Sequence, residues 1–373
     1  MLLLTDTLKP MTDGVSVFVD NVLPLLRSSY DITVIAPDYG TIEYKGVRLV
    51  RYPVIAVKTG DYGLPKINRK KIKQEVKTCD FVFNNESIIP FSASFYALLY
   101  ARKYHKPFFT YIHALDWELF SKGINYPPLI ARSIHKILRT YGRIFLSYGD
   151  VTLVPFPKIK TILQHNKVRS EFAIIPVGTI ADFKPGKSRH ANPKTITIGY
   201  SGRISFEKGL DTLFRAFRSL STPYDNLRLL LIGDGPDRHK IEHHENITIT
   251  GFVNQQEVAE YIRAMDIFVL PSVTETSSIS TLEAMKSGVC CITTNVGCIE
   301  DYLDDGINGF FFASDDELRE CLQRAIEDKE LRRMIQKNAA KRAAPYTWKN
   351  TVTQLIRFFN EYLEKKEKKK RRL

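Results

Sequence analysis

Two glutamates eight positions apart, Glu275 and Glu283, bracket an uncharged run in the segment PSVTETSSISTLEAM (Pro271–Met285). Ionised carboxylates are strong acceptors for paired hydroxyl donors, so acids so placed are suited to holding sugars. Upstream, DIFVL (Asp266–Leu270) reads as a buried strand, and SSISTLEAMKSG opens a helix that Gly288 stops. Ser277 or Ser278 is positioned to cap this helix, and its first amides, with the helix dipole, favour a phosphate. Glu275, in the loop before the helix, can then meet the hydroxyls of a sugar, and Glu283, in the second turn, those of a ribose. Either acid by itself would be an ordinary surface carboxylate; their spacing about a helix start makes them a pair.

Two cations belong to the same chemistry. In IGYSGRISFEKGLDTLFRAFRSL (Ile198–Leu220) a strand ends in a loop carrying Arg203 and Lys208, just before a helix with Leu210, Leu213, Phe214, Phe217 and Leu220 on one face. Cations beside free backbone N–H groups suit a diphosphate. A further strand ends in the tight turn Gly233-Asp234-Gly235-Pro236, and the turn Gly251-Phe252-Val253 offers backbone contacts to a nucleobase. In the first half, His113 closes the strand PFFTYIHA.

Parallel strands must position these groups. MLLLT, DITVIAP, GVRLVRYP, DFVFNN, PFFTYIHA, DVTLVPF and FAIIPV, then TITIGYSG, LRLLLIGDG, NITITGF, DIFVLPS and GVCCITTN, are near-continuous apolar runs separated by helical patterns. Such runs suit strands buried on both faces, hence doubly wound α/β sheets. The Pro- and Gly-rich stretch Gly178–Lys194 reads as a linker, so two Rossmann-like domains are expected, with ligands beyond the carboxyl ends of the strands. The length of 373 residues agrees with two domains.

Composition narrows the class further. At 44% hydrophobic and 25% charged, the chain has the composition of an ordinary globular protein. It has no apolar run long enough to span a membrane, and the start MLLLTD is too short for a signal peptide. Five cysteines without C-x-x-C spacing argue for reduced thiols in a cytosolic protein, not a disulfide framework or zinc site. Residues 1–190 hold 27 basic and 15 acidic side chains, whereas residues 191–373 hold 27 and 26, and the basic tail EYLEKKEKKKRRL accounts for more than that small surplus. This asymmetry predicts that the first half and the tail meet a polyanionic surface.

The ordered set GRISFEKGLDTLFRAF, LIGDGP, ITGFV, DIFVLPSVTETSSISTLEAMKSGV and GINGFFF, preceded by TDTLKPMTDGVSVFVDNVLPLL, TYIHALDWELF and IIPVGTIADFKP, resembles the retaining family-4 glycosyltransferases of GT-B fold over nearly the whole chain. The resemblance implies two Rossmann-like doubly wound domains facing a cleft: an acceptor- and membrane-side domain (1–180), a nucleotide-sugar domain (181–345), and a terminal helix crossing back to the first domain with the basic tail (346–373). It also implies roles. Arg203 and Lys208, with the amides at Ser278 and Ile279, hold the donor diphosphate, and Gly14 lets backbone approach it. Glu283 holds ribose, Glu275 holds the transferred sugar, and His113 faces the reacting centre. Gly233, Phe252 and Val253 lie on the nucleobase side, and Asp116 and Glu118 on the acceptor side. No metal or cofactor is implied; the donor is a nucleotide sugar, UDP-glucose first and GDP-mannose second. Two departures stand out: Thr276–Ile279 replace a Gly-Phe-Gly type of turn, and Val177-Gly178 stand where the family has Asn-Gly.

On the acceptor side, Leu64–Lys77 packs six cations into fourteen residues. Residues 127–146 set Ile130, Ile134, Ile137, Leu138, Tyr141 and Phe145 against Arg132, Lys136, Arg139 and Arg143. Such a basic amphipathic helix can lie on an anionic membrane or turn its apolar stripe into a core. The expected partners are therefore a nucleotide sugar, an anionic membrane surface on the cytoplasmic side and a lipid hydroxyl acceptor of diacylglycerol or polyprenyl type. A soluble sugar acceptor, or binding without catalysis of a nucleotide sugar or nucleic acid, are the other readings. Nucleic acid is disfavoured because aromatic residues do not interleave with the basic runs.

Overall fold

The computed structural model describes residues 1–11, 13–40, 43–55, 64–115, 117, 128–241 and 244–371. The chain divides into two compact units, Met1–Gly178 with Trp348–Leu373, and Thr179–Thr347.

In the first unit the strands are β1 (Leu2–Thr5), β2 (Thr33–Pro37), β3 (Arg48–Tyr52), a short hairpin β4–β5 (Val54–Ile55, Leu64–Pro65), β6 (Val82–Asn85), β7 (Phe108–Tyr111), β8 (Val151–Val154) and β9 (Glu171–Ile174). Seven of them form one parallel sheet in the order β3-β2-β1-β6-β7-β8-β9. Every residue of β1, β6, β7 and β8 is buried, as the unbroken apolar runs require of central strands covered on both faces. Each fully buried Leu, Val or Phe among them contributes roughly 1.5–3 kcal/mol by leaving water.

The second unit repeats the plan. Strands β10 (Ile196–Ser201), β11 (Leu227–Ile232), β12 (Ile247–Ile249), β13 (Ile267–Leu270), β14 (Cys290–Thr294) and β15 (Phe310–Phe312) lie in the order β12-β11-β10-β13-β14-β15, all parallel. Strand order therefore reverses between β1 and β6 in one sheet and between β10 and β13 in the other. At such switch points the connections leave in opposite directions and open a crevice beyond the strand ends. β15, made from the motif GINGFFF, and the β4–β5 hairpin were not among the strands expected from apolar runs; three and two residues are too short to show a period.

Helix α1 (Gly14–Leu26) follows β1 and starts on a capping box, with the Ser16 amide donating to Asp13 Oδ1 at 2.8 Å and the Asp13 amide to Ser16 Oγ at 2.9 Å. Gly14 is thus the first helical residue instead of a loop residue, and a β-carbon there would meet nothing within 4 Å. Helices α2 (Arg69–Thr78) and α3 (Ala93–Lys103) precede α4 (Pro128–Tyr148). The amphipathic pattern of α4 divides in two. Phe145 is buried and Tyr141 donates to Ile89 O, whereas Ile130, Ile137 and Ile144, spaced by seven, are 48%, 64% and 51% exposed. Helix α5 (Pro157–His165) completes the first series. Among the described residues no helix is long and apolar enough to cross a membrane.

The terminal helix α11 (Trp348–Lys370) belongs to the first unit. It buries Trp348, Val352, Leu355 and Phe359, and Phe359 packs against Phe81, Phe83 and Phe109. Residues 181–194, expected to form a linker, are instead fastened to the second unit. Phe183 is fully buried, Arg263 donates to Asp182 O, Ser188 donates to Glu260 O, and His190 stacks on Tyr261 at 4.0 Å. Proline, glycine and polar residues concealed this attachment because single anchors carry no period.

Candidate functional site

The switch point of the second sheet is assembled by glycines. A β-carbon at Gly233 would lie 2.1 Å from Gly202 O, so the turns after β10 and β11 touch backbone to backbone. Gly209 is left-handed at φ 62°, and a β-carbon there would lie 2.2 Å from Pro271 O. This close approach, with the Val273 amide donating to Glu207 O at 2.9 Å, lays the Lys208 loop along the end of β13. Lys208 Nζ consequently meets Glu275 Oε1 at 2.7 Å, and Ser272 Oγ donates to the same oxygen at 2.8 Å. The two side chains are only 22% and 12% exposed. Sequence reading assigned Lys208 to phosphate and Glu275 to sugar separately; the structure pairs them across 67 residues. Arg203 lies exposed in the same turn, its carbonyl accepting the buried Tyr200 hydroxyl at 2.7 Å.

Helix α6 (Leu210–Ser221) follows Lys208, α7 (Gln255–Arg263) precedes β13, and α8 (Ile279–Lys286) follows Glu275. Ser278 is the N-cap of α8, but its side chain does not cap: Ser278 Oγ pairs with Thr281 Oγ1 at 2.8 Å. The amides of Thr276, Ser277, Ser278 and Ile279 make no hydrogen bond among the described residues. N–H groups without an acceptor at a helix start have the chemistry that suits an anion.

The opposite side of this loop is fully bonded. The Cys298 amide and thiol both donate to Thr276 O, at 2.9 and 2.6 Å, and the Tyr302 hydroxyl donates to Ser277 O at 2.9 Å. A β-carbon at Gly297 would lie 2.4 Å from Glu275 O. Sequence reasoning missed Ser272, Gly297, Cys298 and Tyr302. Only the need of a buried tyrosine for a hydroxyl partner signalled the last, and that need does not say where the partner lies.

Glu283 is half-buried on α8, and burial pushes its carboxyl up to about 8, opposed by Lys286. The Lys286 ammonium, lowered by burial, donates to Thr179 Oγ1 at 2.8 Å. Hydroxyl donors from a bound ribose would satisfy the carboxylate and favour its ionised form. Phe252 is 73% exposed and Val253 half-buried in the turn before α7.

In the first unit His113 stands beyond β7. Its Nε2–H donates to Asn85 Oδ1 at 2.5 Å, and the ring packs edge-on to Phe18 at 4.9 Å. Burial pushes the imidazole down to about 4, against the pull of Asp13, so the ring is neutral at neutral pH. Two acids that sequence reasoning did not single out lie beyond β1 and β6. Asp6 accepts from the Ser87 amide, and Glu86 accepts from the Ser94 amide at 2.5 Å and from the Tyr52 hydroxyl at 3.2 Å. Burial raises both: Asp6 to about 6, with a smaller push from Asp13, and Glu86 to about 8, with repulsion from Asp6. Asp116 and Glu118 lie outside the described residues.

Two parallel sheets, of seven and six strands with like order about their switch points, and a terminal helix that belongs to the first unit define the GT-B class. Residues 184–342 match the model of the glycosyl transferases group 1, and residues 12–183 that of glycosyltransferase family 4. With these two matches running almost end to end, the chain belongs to the family-4 glycosyltransferases. It is 28% identical over 240 residues to an alpha-monoglucosyldiacylglycerol synthase of Acholeplasma laidlawii, covering 59% of this chain and 60% of that relative, and so spans less than two thirds of the relative's length. To a GDP-mannose-dependent alpha-mannosyltransferase of Corynebacterium glutamicum it is 26% identical over 97% of this chain and 88% of the other. Among solved structures, the Anabaena protein HepE in complex with UDP-glucose superposes with a TM-score of 0.73 at 14% identity, over 97% of this chain and all of that one (100%).

Proposed function

We propose that this protein is a retaining, metal-independent hexosyltransferase. It moves a sugar from a UDP- or GDP-linked donor to a lipid hydroxyl at an anionic membrane surface. The observation that carries the reading is the Lys208–Glu275 pair set against the row of unpaired amides from Thr276 to Ile279. Departure of a nucleoside diphosphate builds negative charge on phosphate oxygens, and fixed cations and amide dipoles stabilise that charge where it forms. Lys208, Arg203 and the amide row perform this task. Glu275, oriented by Lys208 and Ser272, accepts from hydroxyls of the transferred sugar, and Glu283 accepts from ribose. His113, kept neutral and donating through Nε2–H to Asn85, has its other ring nitrogen left to accept a hydrogen bond from a hydroxyl of the reacting sugar.

The lipid acceptor rests on separate support. The named relative that makes a glucosyldiacylglycerol is one strand of it. The other is α4, whose exposed Ile130, Ile137 and Ile144 lie among exposed Arg132, Lys136 and Arg139. Apolar side chains flanked by cations suit the headgroup boundary of a cytoplasmic membrane face.

A panel of radiolabelled UDP- and GDP-sugars, each offered diacylglycerol or polyprenyl phosphate in anionic vesicles, tests the reading. Transfer to a vesicle lipid with the donor's anomeric configuration kept is expected. Transfer only to soluble sugars would remove the lipid acceptor, and nucleotide binding without transfer would remove catalysis.

A further inference from the structure

Ser278 occupies a backbone conformation that serine rarely takes. Its φ is 41° and ψ 76°, in the left-handed region where a β-carbon crowds the backbone and glycine is the ordinary occupant. Its own side chain does not relieve this, because Ser278 Oγ is engaged by Thr281 Oγ1. What surrounds it is Tyr302, fully buried, with its hydroxyl 2.9 Å from Ser277 O and 3.4 Å from Ser278 O. One phenol therefore binds the carbonyls on both sides of the strained residue.

Peptide planarity gives this contact a consequence. In a trans peptide the carbonyl of one residue and the amide of the next point in opposite directions. Turning Thr276 O onto Cys298, Ser277 O onto Tyr302, and Ser278 O onto the Leu282 amide (3.3 Å) and Tyr302 aims the amides of Ser277, Ser278 and Ile279 the other way. Those are amides without an acceptor among the described residues. The bonded face and the unbonded face of the loop are thus two sides of the same three peptide planes.

We propose that Tyr302 is a positioning residue for the donor: its hydroxyl holds Ser278 left-handed and so presents the amide row to the donor diphosphate, a conformation that glycine at this position adopts unaided. The inference rests on the transferase reading above. It also explains how this chain keeps a phosphate-binding turn while lacking glycine from Thr276 to Ile279. The fold supplies from β14's far side what the local residue withholds.

The test couples the two positions in the full-length protein. UDP and GDP binding by calorimetry, and donor KM and kcat in vesicles, are measured for the wild type, Y302F, S278G and Y302F/S278G. Loss of one buried hydrogen bond should weaken nucleotide binding and raise donor KM about tenfold in Y302F, with kcat changed far less. Glycine no longer needs the hydroxyl, so Y302F/S278G should bind nucleotide like S278G. Equal binding by Y302F and wild type, or no rescue by S278G, overturns the role of Tyr302. Should Y302F fail to fold, the double variant decides: folded and nucleotide-binding supports the inference, unfolded overturns it. A wild type that binds neither UDP nor GDP sinks the transferase reading and this inference with it; binding with an unmoved Y302F sinks this inference alone.

Discussion

The switch points of the two sheets share one topology and carry opposite chemistry. Beyond β10 and β13 stand Arg203, Lys208 and a row of amide donors, with Glu275 held by Lys208. Beyond β1 and β6 stand Asp6, half-buried, and Glu86, buried and repelled by Asp6; they accept from amides and a phenol. A dianionic phosphate would find a cation and amide donors at the first place and carboxyl groups at the second. Strand order makes a crevice in both; the side chains at the strand ends decide what it accepts. The difference supports the proposed placing of the donor in the second unit; the first has a neutral His113 and an exposed face of α4 rich in cations and isoleucines.

The largest effect that would sharpen this contrast lies in the second unit. K208A and E275A should each lower sugar transfer by about 10²–10³, the usual loss for a preorganised charge-stabilising group. Vesicle binding should stay unchanged in both. If initial rates fall by less than fivefold, the donor is held elsewhere.

Next comes the outer face of the first unit. Each cation near an anionic membrane contributes about 1 kcal/mol, so R132E/K136E/R139E should weaken vesicle flotation by at least roughly a hundredfold at low salt. Raised ionic strength should weaken the wild type in the same direction. Nucleotide affinity should not move, and a variant that floats like the wild type would detach α4 from the membrane.

His113 gives a smaller effect. H113Q should lower kcat by about tenfold, the size expected for loss of one hydrogen bond. Because burial holds the ring down to about 4, any acid limb due to it should fall near pH 4, well below that of a solvated histidine. A wild-type limb near pH 6.5 that H113Q abolishes would show the ring to be solvated.

The smallest effect is on stability. The Glu86 carboxyl is raised from 4.5 to about 8, so across that range the native state keeps a proton that the unfolded chain has released. Stability therefore declines as pH climbs through the window and levels off above it. E86Q should flatten the decline and be more stable than the wild type at pH 8.5, read by urea unfolding. Parallel profiles for the two proteins would mean that Glu86 is ionised at little cost.

Much of the fold could be read from residue order because its strands are apolar runs and its helices keep one period. MLLLT, DFVFNN and DIFVL became fully buried strands, and the stripe Trp348, Val352, Leu355, Phe359 became the buried face of α11. Legibility failed where a residue's task depends on a distant neighbour. Phe183 anchors a segment that reads as linker, Gly14 begins a helix instead of lying in a loop, and Ser278 takes the N-cap position without capping.

The sequence by itself determined the classes of chemistry available: two acids about a helix start, two cations after a strand, and a basic half opposed to a nearly neutral one. These depend on residue type and local spacing, which the chain carries without folding. Tertiary structure decided which groups meet. Lys208 reaches Glu275 because Gly209 lets its loop lie against Pro271, and the amides after Glu275 turn outward because Cys298 and Tyr302 take the carbonyls behind them. Such contacts span tens of residues, and only the packing of parallel strands brings their ends together.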